Sequence, residues 1–283
     1  MSKRWLINYL LIILIVIFTW IGNTYPIKPG DSAKKDSLTR YKPQDITSIK
    51  VETADNTIQL SKQGNNWSIE SPISWSANNV TTERLTTLAS AKPHSKLPKN
   101  QIDLSSLGLN IPKAVVTLND VSIYFGTTNN IGNRRYLLNG PNVYLADDIH
   151  YAFINQGLTG LVDNRLLPFQ LELISLKLTD IKLVKHAAGW SADTATTDEK
   201  QNKAATQLVN NWRQKQASNI QHYSNTQAPL NKIMAELANG DQIEFFVLSI
   251  QPEIIIARPD LKIQYHFPKH EYYSLFSINP PNE

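Results

Sequence analysis

The sequence predicts an α+β fold: an N-terminal transmembrane helix followed by two repeated antiparallel-sheet units, each ordered β-β-α-β-β-β-β-α. Three observations predict it. The chain opens with an apolar run, short stretches of alternating apolar and polar residues recur between turn residues, and the whole arrangement occurs twice. Strands joined by tight turns pair in antiparallel fashion, so helices are expected on one face of each sheet.

The composition is that of a folded protein and excludes several functional classes. The chain has 283 residues, of which 41% are hydrophobic and 18% charged, enough apolar material for a packed core. A net charge of +4 is too small to indicate a nucleic-acid partner. Because the sequence contains no cysteine, disulfides, thiol nucleophiles and Cys-ligated zinc are excluded.

Residues 1–22 are predicted to form a transmembrane anchor. Twelve residues between Leu6 and Ile21 are Leu, Ile, Val or Phe. A helix over residues 5–22 would be about 27 Å long, close to the roughly 30 Å hydrocarbon core of a bilayer. The flanking residues suited to the membrane interface are Trp5, Trp20, Lys3 and Arg4.

The charges that precede this run predict the orientation of the chain. Cations before an apolar run favour a cytoplasmic N-terminus, so we expect a single-pass protein of the bacterial inner membrane with a periplasmic C-terminal part. A cleaved signal peptide is the alternative, and the sequence leaves open whether the anchor is ever cut.

Residues 23–44 are predicted to be a linker, and two repeats are expected to follow it. The linker carries three prolines, one glycine and mixed charges without apolar periodicity. The first α+β repeat is expected over residues 45–168 and the second over residues 169–283. Three pairs of residues share a spacing of 123: Ile58 and Ile181, Leu60 and Leu183, and Trp67 and Trp190.

Each repeat has the same predicted sequence of elements. A hairpin and a tryptophan precede a helical stretch, which Asn78 or Asn79 can cap in the first repeat. In the second repeat Thr196 and Glu199 resemble a capping box. Four strands separated by turns such as Asn-Gly follow, and an aromatic segment closes each repeat. The sequence does not decide whether the repeats share one sheet.

Several of these segments resemble a known family. They are ITSIKV, IQL and NNWSIESP, then LGLNIPKAVVTL, IYFGTTNN and RRYLLNGPNVYLAD, and finally IIIARPDLKIQYHF. In this order they resemble the bacterial membrane-anchored family that carries domain of unknown function 4340, here in two tandem copies over about residues 45–280. The resemblance implies no activity and no catalytic residues. It implies an association with ABC-type export systems of the cell envelope.

No catalytic motif is found in the sequence. It contains no P-loop, nucleophile elbow, zinc-protease helix or dinucleotide fingerprint. His266, His270 and Glu271 come nearest to a metal cluster, but Pro268 between the histidines keeps them off one helical face. The adjacent carboxylates of Asp147 and Asp148 are expected on opposite faces of a strand. We therefore predict no enzyme, no metal site and no cofactor.

Four residues are candidates for ligand or partner contacts. Trp67 and Trp190 follow a hairpin at the same place in each repeat, which favours a shared packing role over a stacking site for a sugar or aromatic ligand. Arg135 and Arg258 lie at strand ends in roughly corresponding positions, and Asp260 follows the second. For each arginine, a strand-edge salt bridge and a clamp for a ligand carboxylate are the two interpretations.

The functional prediction is a non-enzymatic envelope protein whose exported repeats dock onto a membrane complex, such as an ABC-type exporter. Its partners would be the lipid bilayer, through residues 5–22, and an envelope or transporter protein. The alternative is a module that binds a glycan, a lipid or a small molecule in the cleft between the repeats. A hydrolase without a recognisable motif is the third hypothesis.

Overall fold

Two antiparallel sheets contain most of the regular structure of the protein. The structure, a computed structural model, describes residues 37–130, 132–168, 170–187, 189–192, 198–224 and 228–278. From Leu38 onward these residues belong to one compact unit. The predicted anchor over residues 1–22, with Lys3, Arg4, Trp5 and Trp20, lies outside the described residues.

The first sheet has nine strands. They are β1 (Ser48–Thr53), β2 (Thr57–Gln63), β3 (Asn66–Ser71), β4 (Trp75–Ser76), β5 (Ser95–Pro98), β6 (Ala114–Leu118), β7 (Val121–Asn129), β8 (Arg134–Asn139) and β9 (Asn142–Asp147). Their order across the sheet is β4-β3-β2-β1-β6-β7-β8-β9-β5. The central pair β1–β6 aligns Val51 with Val116, and both side chains enter the core.

The second sheet has eight strands. They are β10 (Leu173–Lys177), β11 (Lys182–His186), β12 (Gly189–Ala192), β13 (Asn219–His222), β14 (Asn231–Leu237), β15 (Gln242–Ser249), β16 (Glu253–Arg258) and β17 (Ile263–Pro268). Their order is β12-β11-β10-β14-β15-β16-β17-β13. Apart from β4, the two sheets therefore have the same strand order.

The helices of the described residues are few and mostly short. They are α1 (Asn79–Thr86), α2 (Tyr151–Asn155), α3 (Leu158–Leu161), α4 (Glu199–Gln214) and α5 (Tyr272–Phe276). Asn78 caps α1, because its side-chain oxygen accepts from Thr81 N at 3.2 Å. Asp198 caps α4, because its side-chain oxygen accepts from Lys200 N at 2.9 Å. Thr196 of the predicted capping box lies outside the described residues.

The predicted α+β fold class is wrong, since the described residues form two mainly antiparallel sheets with few helices. Among the described residues, no helix combines the length and the apolar character needed to cross a membrane. The expected β-β-α-β-β-β-β-α order also omits several strands that the structure contains. The tryptophan segments form the third strands β3 and β12, and β5 and β13 extend the opposite edges. The closing aromatic segments form helices of only about one turn.

One hydrophobic core connects the two sheets. Helix α4 lies against β12 and buries a stripe on the core side, formed by Ala205, Leu208, Val209 and Trp212. The Trp212 ring meets Phe245 edge-on at 5.3 Å between centroids, and its Nε1 donates to Leu275 O at 2.6 Å. Buried residues from β1 to α5 belong to the same cluster, so the two halves are packed together rather than joined by a free hinge.

The predicted linker does not extend to residue 44. Leu38 is buried, and its backbone N–H donates to Ala91 O at 3.1 Å. Its carbonyl oxygen accepts from Asn139 Nδ2 at 2.6 Å. A single apolar side chain among polar neighbours is a weak sequence signal, although it anchors this stretch on the first sheet.

The segment around Leu107 and Leu109 crosses β7 on the face opposite the core. In the sequence it was noted only as part of the family-like stretch LGLNIPKAVVTL. The N–H of Thr127 donates to Leu107 O at 2.8 Å. A Cβ at Gly126 would come within 2.3 Å of that same carbonyl oxygen. Glycine is required here because the segment around Leu109 lies directly against the strand.

His150, which precedes α2, is buried, and within the described part of the chain no charged side chain hydrogen-bonds its ring. Its side chain hydrogen-bonds Thr87 Oγ1, with 3.0 Å from Oγ1 to Nε2. Burial lowers the pKa of His150 to about 4, and the nearby carboxylate of Asp148 opposes this shift only in part. The folded protein therefore holds a neutral imidazole in the range where the unfolded chain is protonated.

Replacing Trp212 tests the shared core. Trp212→Ala should lower the free energy of unfolding by about 3–5 kcal/mol, because it removes a fully buried ring and leaves a cavity. Tyr273→Ala, at an aromatic residue 49% exposed on α5, should cost much less. Urea unfolding of both variants measures the difference. Equal losses would contradict the assignment of Trp212 to the centre of the core.

The His150 pKa predicts acid sensitivity. The unfolded state takes up the proton near pH 6.5 and the folded state only near pH 4, so stability is lost as the pH falls between these values. Through this histidine, lowering the pH from 7 to 5 should reduce the free energy of unfolding by about 2 kcal/mol. His150→Gln, which keeps a polar side chain but does not titrate, should show a correspondingly shallower decline in urea titrations at each pH. If the free energy of unfolding fell equally with pH in the wild type and in His150→Gln, the lowered pKa of His150 would be refuted.

Candidate functional site

Two clefts open where the sheets meet, and they share Asp260 and Leu261. The larger has a volume of about 660 Å³ and is lined from the first half by Asn56 and Ile73 and from the second by His222 and Lys262. The smaller has a volume of about 460 Å³. Both volumes fall within the range of small-molecule sites, which favour the boundary between packed units.

Arg258 is the central residue of the smaller cleft. It ends β16, and the turn Pro259–Leu261 brings Asp260 beside it. Nε and Nη2 of Arg258 donate to the two carboxylate oxygens of Asp260 at 2.9 and 2.7 Å. The arginine side chain is only 2% exposed, whereas that of Asp260 is 57% exposed. The pair therefore joins a buried cation to a carboxylate that water still reaches.

Aromatic rings from both sheets contact the Arg258 guanidinium. Its carbon lies 4.2 Å from the centre of the Trp75 ring, in β4 of the first sheet. It lies 5.2 Å from the centre of the Phe245 ring, in β15 of the second. A guanidinium in this position is attracted to the negative face of each ring, so Arg258 also holds the sheets together.

One nitrogen of this arginine, Nη1, is buried and has no hydrogen-bond partner among the described residues. Trp75 Nε1 and the Tyr265 hydroxyl are likewise buried without a hydrogen bond of ordinary geometry. The indole nevertheless lies close enough to act on Tyr265, whose pKa is raised by complete burial and lowered in part by Arg258 and Trp75. Three buried polar groups thus lie close together, and two of them, the Trp75 indole and the Tyr265 hydroxyl, act on each other.

Arg135 forms a similar pair in the first sheet, but each of its three guanidinium nitrogens donates a hydrogen bond. Nε and Nη2 donate to the two oxygens of Asp148, both at 2.8 Å, and Nη1 donates to Gly126 O at 2.6 Å. The guanidinium carbon lies 3.8 Å from the centre of the Tyr151 ring. The predicted correspondence of the two arginines is wrong, because Arg135 is near the start of β8 whereas Arg258 ends the corresponding strand β16.

The two predicted tryptophans occupy equivalent places in the core. Trp67 is the second residue of β3 and Trp190 the second residue of β12, and they are 1% and 8% exposed. Their backbone N–H groups donate to side chains of the following helical segments, Asn79 Oδ1 at 2.9 Å and Thr206 Oγ1 at 3.4 Å. A shared packing role explains this placement, since neither ring offers a surface to solvent.

The remaining predicted chemistry is dispersed. His266 Nδ1 lies 2.9 Å from Glu253 Oε1, while His270 is exposed and 3.8 Å from Glu271. In the described part of the chain, no three His, Cys, Asp or Glu side chains are grouped as metal ligands. The carboxylates of Asp147 and Asp148 diverge as expected: Asp147 lies 2.7 Å from His94 and Asp148 binds Arg135.

A second feature lies on the outer face of the first sheet, the face opposite the core. Successive strand registers align one side chain from each of five adjacent strands. These residues, termed the apolar row, are Val115, Tyr124, Leu138, Val143 and Leu97. They do not belong to the core cluster. Tyr124 and Leu97 are 37% and 49% exposed, Val115 and Leu138 are partly exposed, and Val143 is only 3% exposed. An apolar stripe of this kind on a solvent face is a candidate interaction surface.

Sequence reasoning missed Trp75, Tyr265 and the apolar row. Trp75 stands in the polar segment SPISWS, where an isolated tryptophan was the one available signal. Each residue of the apolar row occupies an outward position in its own strand. Only the pairing registers between strands show that these residues are neighbours.

The two arginine pairs predict different costs of substitution. Arg135→Met should destabilise the fold by about 3–5 kcal/mol, because it leaves the buried carboxylate of Asp148 without a partner. Arg258→Met should cost at least about 2 kcal/mol less, since Asp260 is solvated and one arginine donor is already unsatisfied. Urea unfolding measures both. A larger loss of unfolding free energy in Arg258→Met than in Arg135→Met would contradict this expected difference.

Comparison with known proteins identifies the family but no individual relative. No curated protein and no solved structure matches the chain. One family, described as a domain of unknown function (DUF4340), matches once, over residues 67–239. The match begins in β3 and ends just after β14, so it takes in parts of both sheets and more than half of the chain. The chain belongs to the DUF4340 family.

Proposed function

We propose that this protein is a non-enzymatic docking module that binds a protein of the bacterial cell envelope through the outer face of its first sheet. The observation that carries this proposal is the apolar row, which crosses five strands on a face that the core does not use. Burying such side chains against a partner removes apolar surface from water.

The charge beside the row favours an acidic partner. The exposed lysines Lys92 and Lys99 lie on either side of β5, where the row ends at Leu97. Lys96 points to the other face, with its Nζ 5.9 Å from the centre of the Tyr144 ring. Lys96 and Pro98 within this edge strand also oppose pairing with a foreign strand. We therefore expect contact through side chains, with an apolar partner surface bordered by carboxylates.

Two finer points belong to this proposal. The halves are treated as tandem copies of one unit, which the equal strand order of the sheets and the equivalent Trp67 and Trp190 support. Residence at the membrane, with an ABC-type exporter as the partner, is supported by the apolar composition of the N-terminal residues and by the association that the sequence resemblance implies.

A ligand-binding module is the second candidate function. Its specific support is the pair of clefts at the junction of the sheets, the smaller of which is lined by residues of both, among them Trp75 and Arg258.

Crosslinking in intact cells tests docking. The tagged full-length protein should crosslink stoichiometrically to an envelope protein, recovered with the membranes and identified by mass spectrometry. The double variant Leu97→Asp/Tyr124→Asp should lower the crosslinked yield about tenfold or more, because each substitution puts a charge in the buried contact.

Gln59→Asp is the matched control. Gln59 is exposed on the same outer face but outside the row, so this variant should keep the wild-type yield. Recovery of the protein alone, or equal loss in Gln59→Asp, would overturn docking through the row.

A further inference from the structure

The two walls of the larger cleft differ in chemistry. We propose that this cleft binds a small carboxylate that carries an apolar chain, with the carboxylate on Lys262 and the chain against the wall formed by the first half. The proposal rests on the second candidate function and names its ligand class.

Lys262 has a backbone conformation that lysine seldom adopts. Its φ is 55°, in the left-handed region that favours glycine and asparagine. Among the described residues other than glycine, only Asn119 and Asn133 share a positive φ. Asn119 uses its side chain there, because its Oδ1 accepts from Thr47 N at 3.0 Å and from Ser48 N at 3.2 Å. An asparagine in this conformation is therefore explained by the fold, whereas a lysine needs another reason.

The backbone bonds of Lys262 do not require a lysine. Its N–H donates to Pro259 O at 3.2 Å, and its carbonyl oxygen accepts from Tyr223 N at 2.9 Å. A glycine would make both bonds without strain. Since strained residues collect at functional sites, the conformation directs attention to the Lys262 side chain.

The Lys262 side chain is an exposed cation that lines the cleft. The one carboxylate among the lining residues is that of Asp260, and both of its oxygens accept from Arg258. With Asp260 neutralised in this way, Lys262 gives the cleft an excess of positive charge. Such a charge attracts an anionic group, and the exposed His222 beside it adds a ring nitrogen that can donate a hydrogen bond.

The opposite wall is largely apolar. Pro72, Ile73 and Leu158 line it from the first half, and all three are partly or fully exposed. The other first-half lining residues are two amides and a threonine, so the apolar surface suits a short chain. An alkyl chain against this wall removes apolar surface from water while its carboxylate faces Lys262. A ligand with both groups therefore uses both walls.

Binding is measured on the full-length protein with three probes. They are octanoate, acetate, which lacks the chain, and octanol, which lacks the charge. Titration followed by saturation-transfer NMR gives the dissociation constants. Octanoate should bind at least about fivefold more tightly than either of the others, because it alone contacts both walls.

Three variants locate this binding. Lys262→Gln keeps a long side chain but removes its charge, so it should weaken octanoate binding about fivefold and leave octanol binding unchanged. Lys177→Gln, at an exposed lysine of β10 outside the cleft, is the matched control and should bind octanoate as the wild type does. Lys262→Gly should also weaken octanoate binding, yet it should raise the midpoint of thermal unfolding because it relieves the strained backbone.

The possible failures are distinguishable. Equal affinity for octanoate and octanol, or octanoate binding that Lys262→Gln does not weaken, would reject the carboxylate assignment while leaving ligand binding as a candidate function. A lower unfolding midpoint in Lys262→Gly would show that the fold itself needs the lysine, which would also reject the assignment. No binding of any probe to the wild type would reject both the assignment and the second candidate function.

Discussion

A guanidinium group buried between two sheets constrains the rest of this structure. Arg258 contacts a ring from each sheet and pairs with Asp260 in the turn that follows its own strand. Such a group requires polar partners inside an otherwise apolar contact. The sheets must therefore meet at a polar seam at this point, and the smaller cleft opens along that seam. The single core and the cleft follow from the same contact.

The two halves share one strand order but differ in their outer faces and in the position of their buried arginine. In the first, Arg135 is fully paired and the outer face carries the apolar row. In the second, the corresponding outer face is partly covered, since Tyr223 and Leu248 pack with Phe246 and Ala257. Its arginine lies at the other end of the corresponding strand and faces the first half. Divergence thus affects the faces and strand ends, while the order of strands is kept.

Much of the strand pattern was predictable, but the placement of key residues was not. The strands β6–β9 and β14–β17 follow from alternation and from Asn-Gly or Asn-Asp turns, which are local signals. The edge strands β5, β12 and β13 are only four residues long, too short for alternation to distinguish them from loops. The equivalence of Trp67 and Trp190 was visible in the spacing. The aromatic contacts of Arg258 depend on tertiary packing, and local sequence cannot show them.

The most direct measurement is a high-resolution crystal structure of the full-length protein, inspected at Arg258. We expect the Trp75 and Phe245 rings against the guanidinium of Arg258, and the Asp260 carboxylate on its Nε and Nη2. A guanidinium turned away from both rings, with no contact between the sheets at this point, would contradict this arrangement.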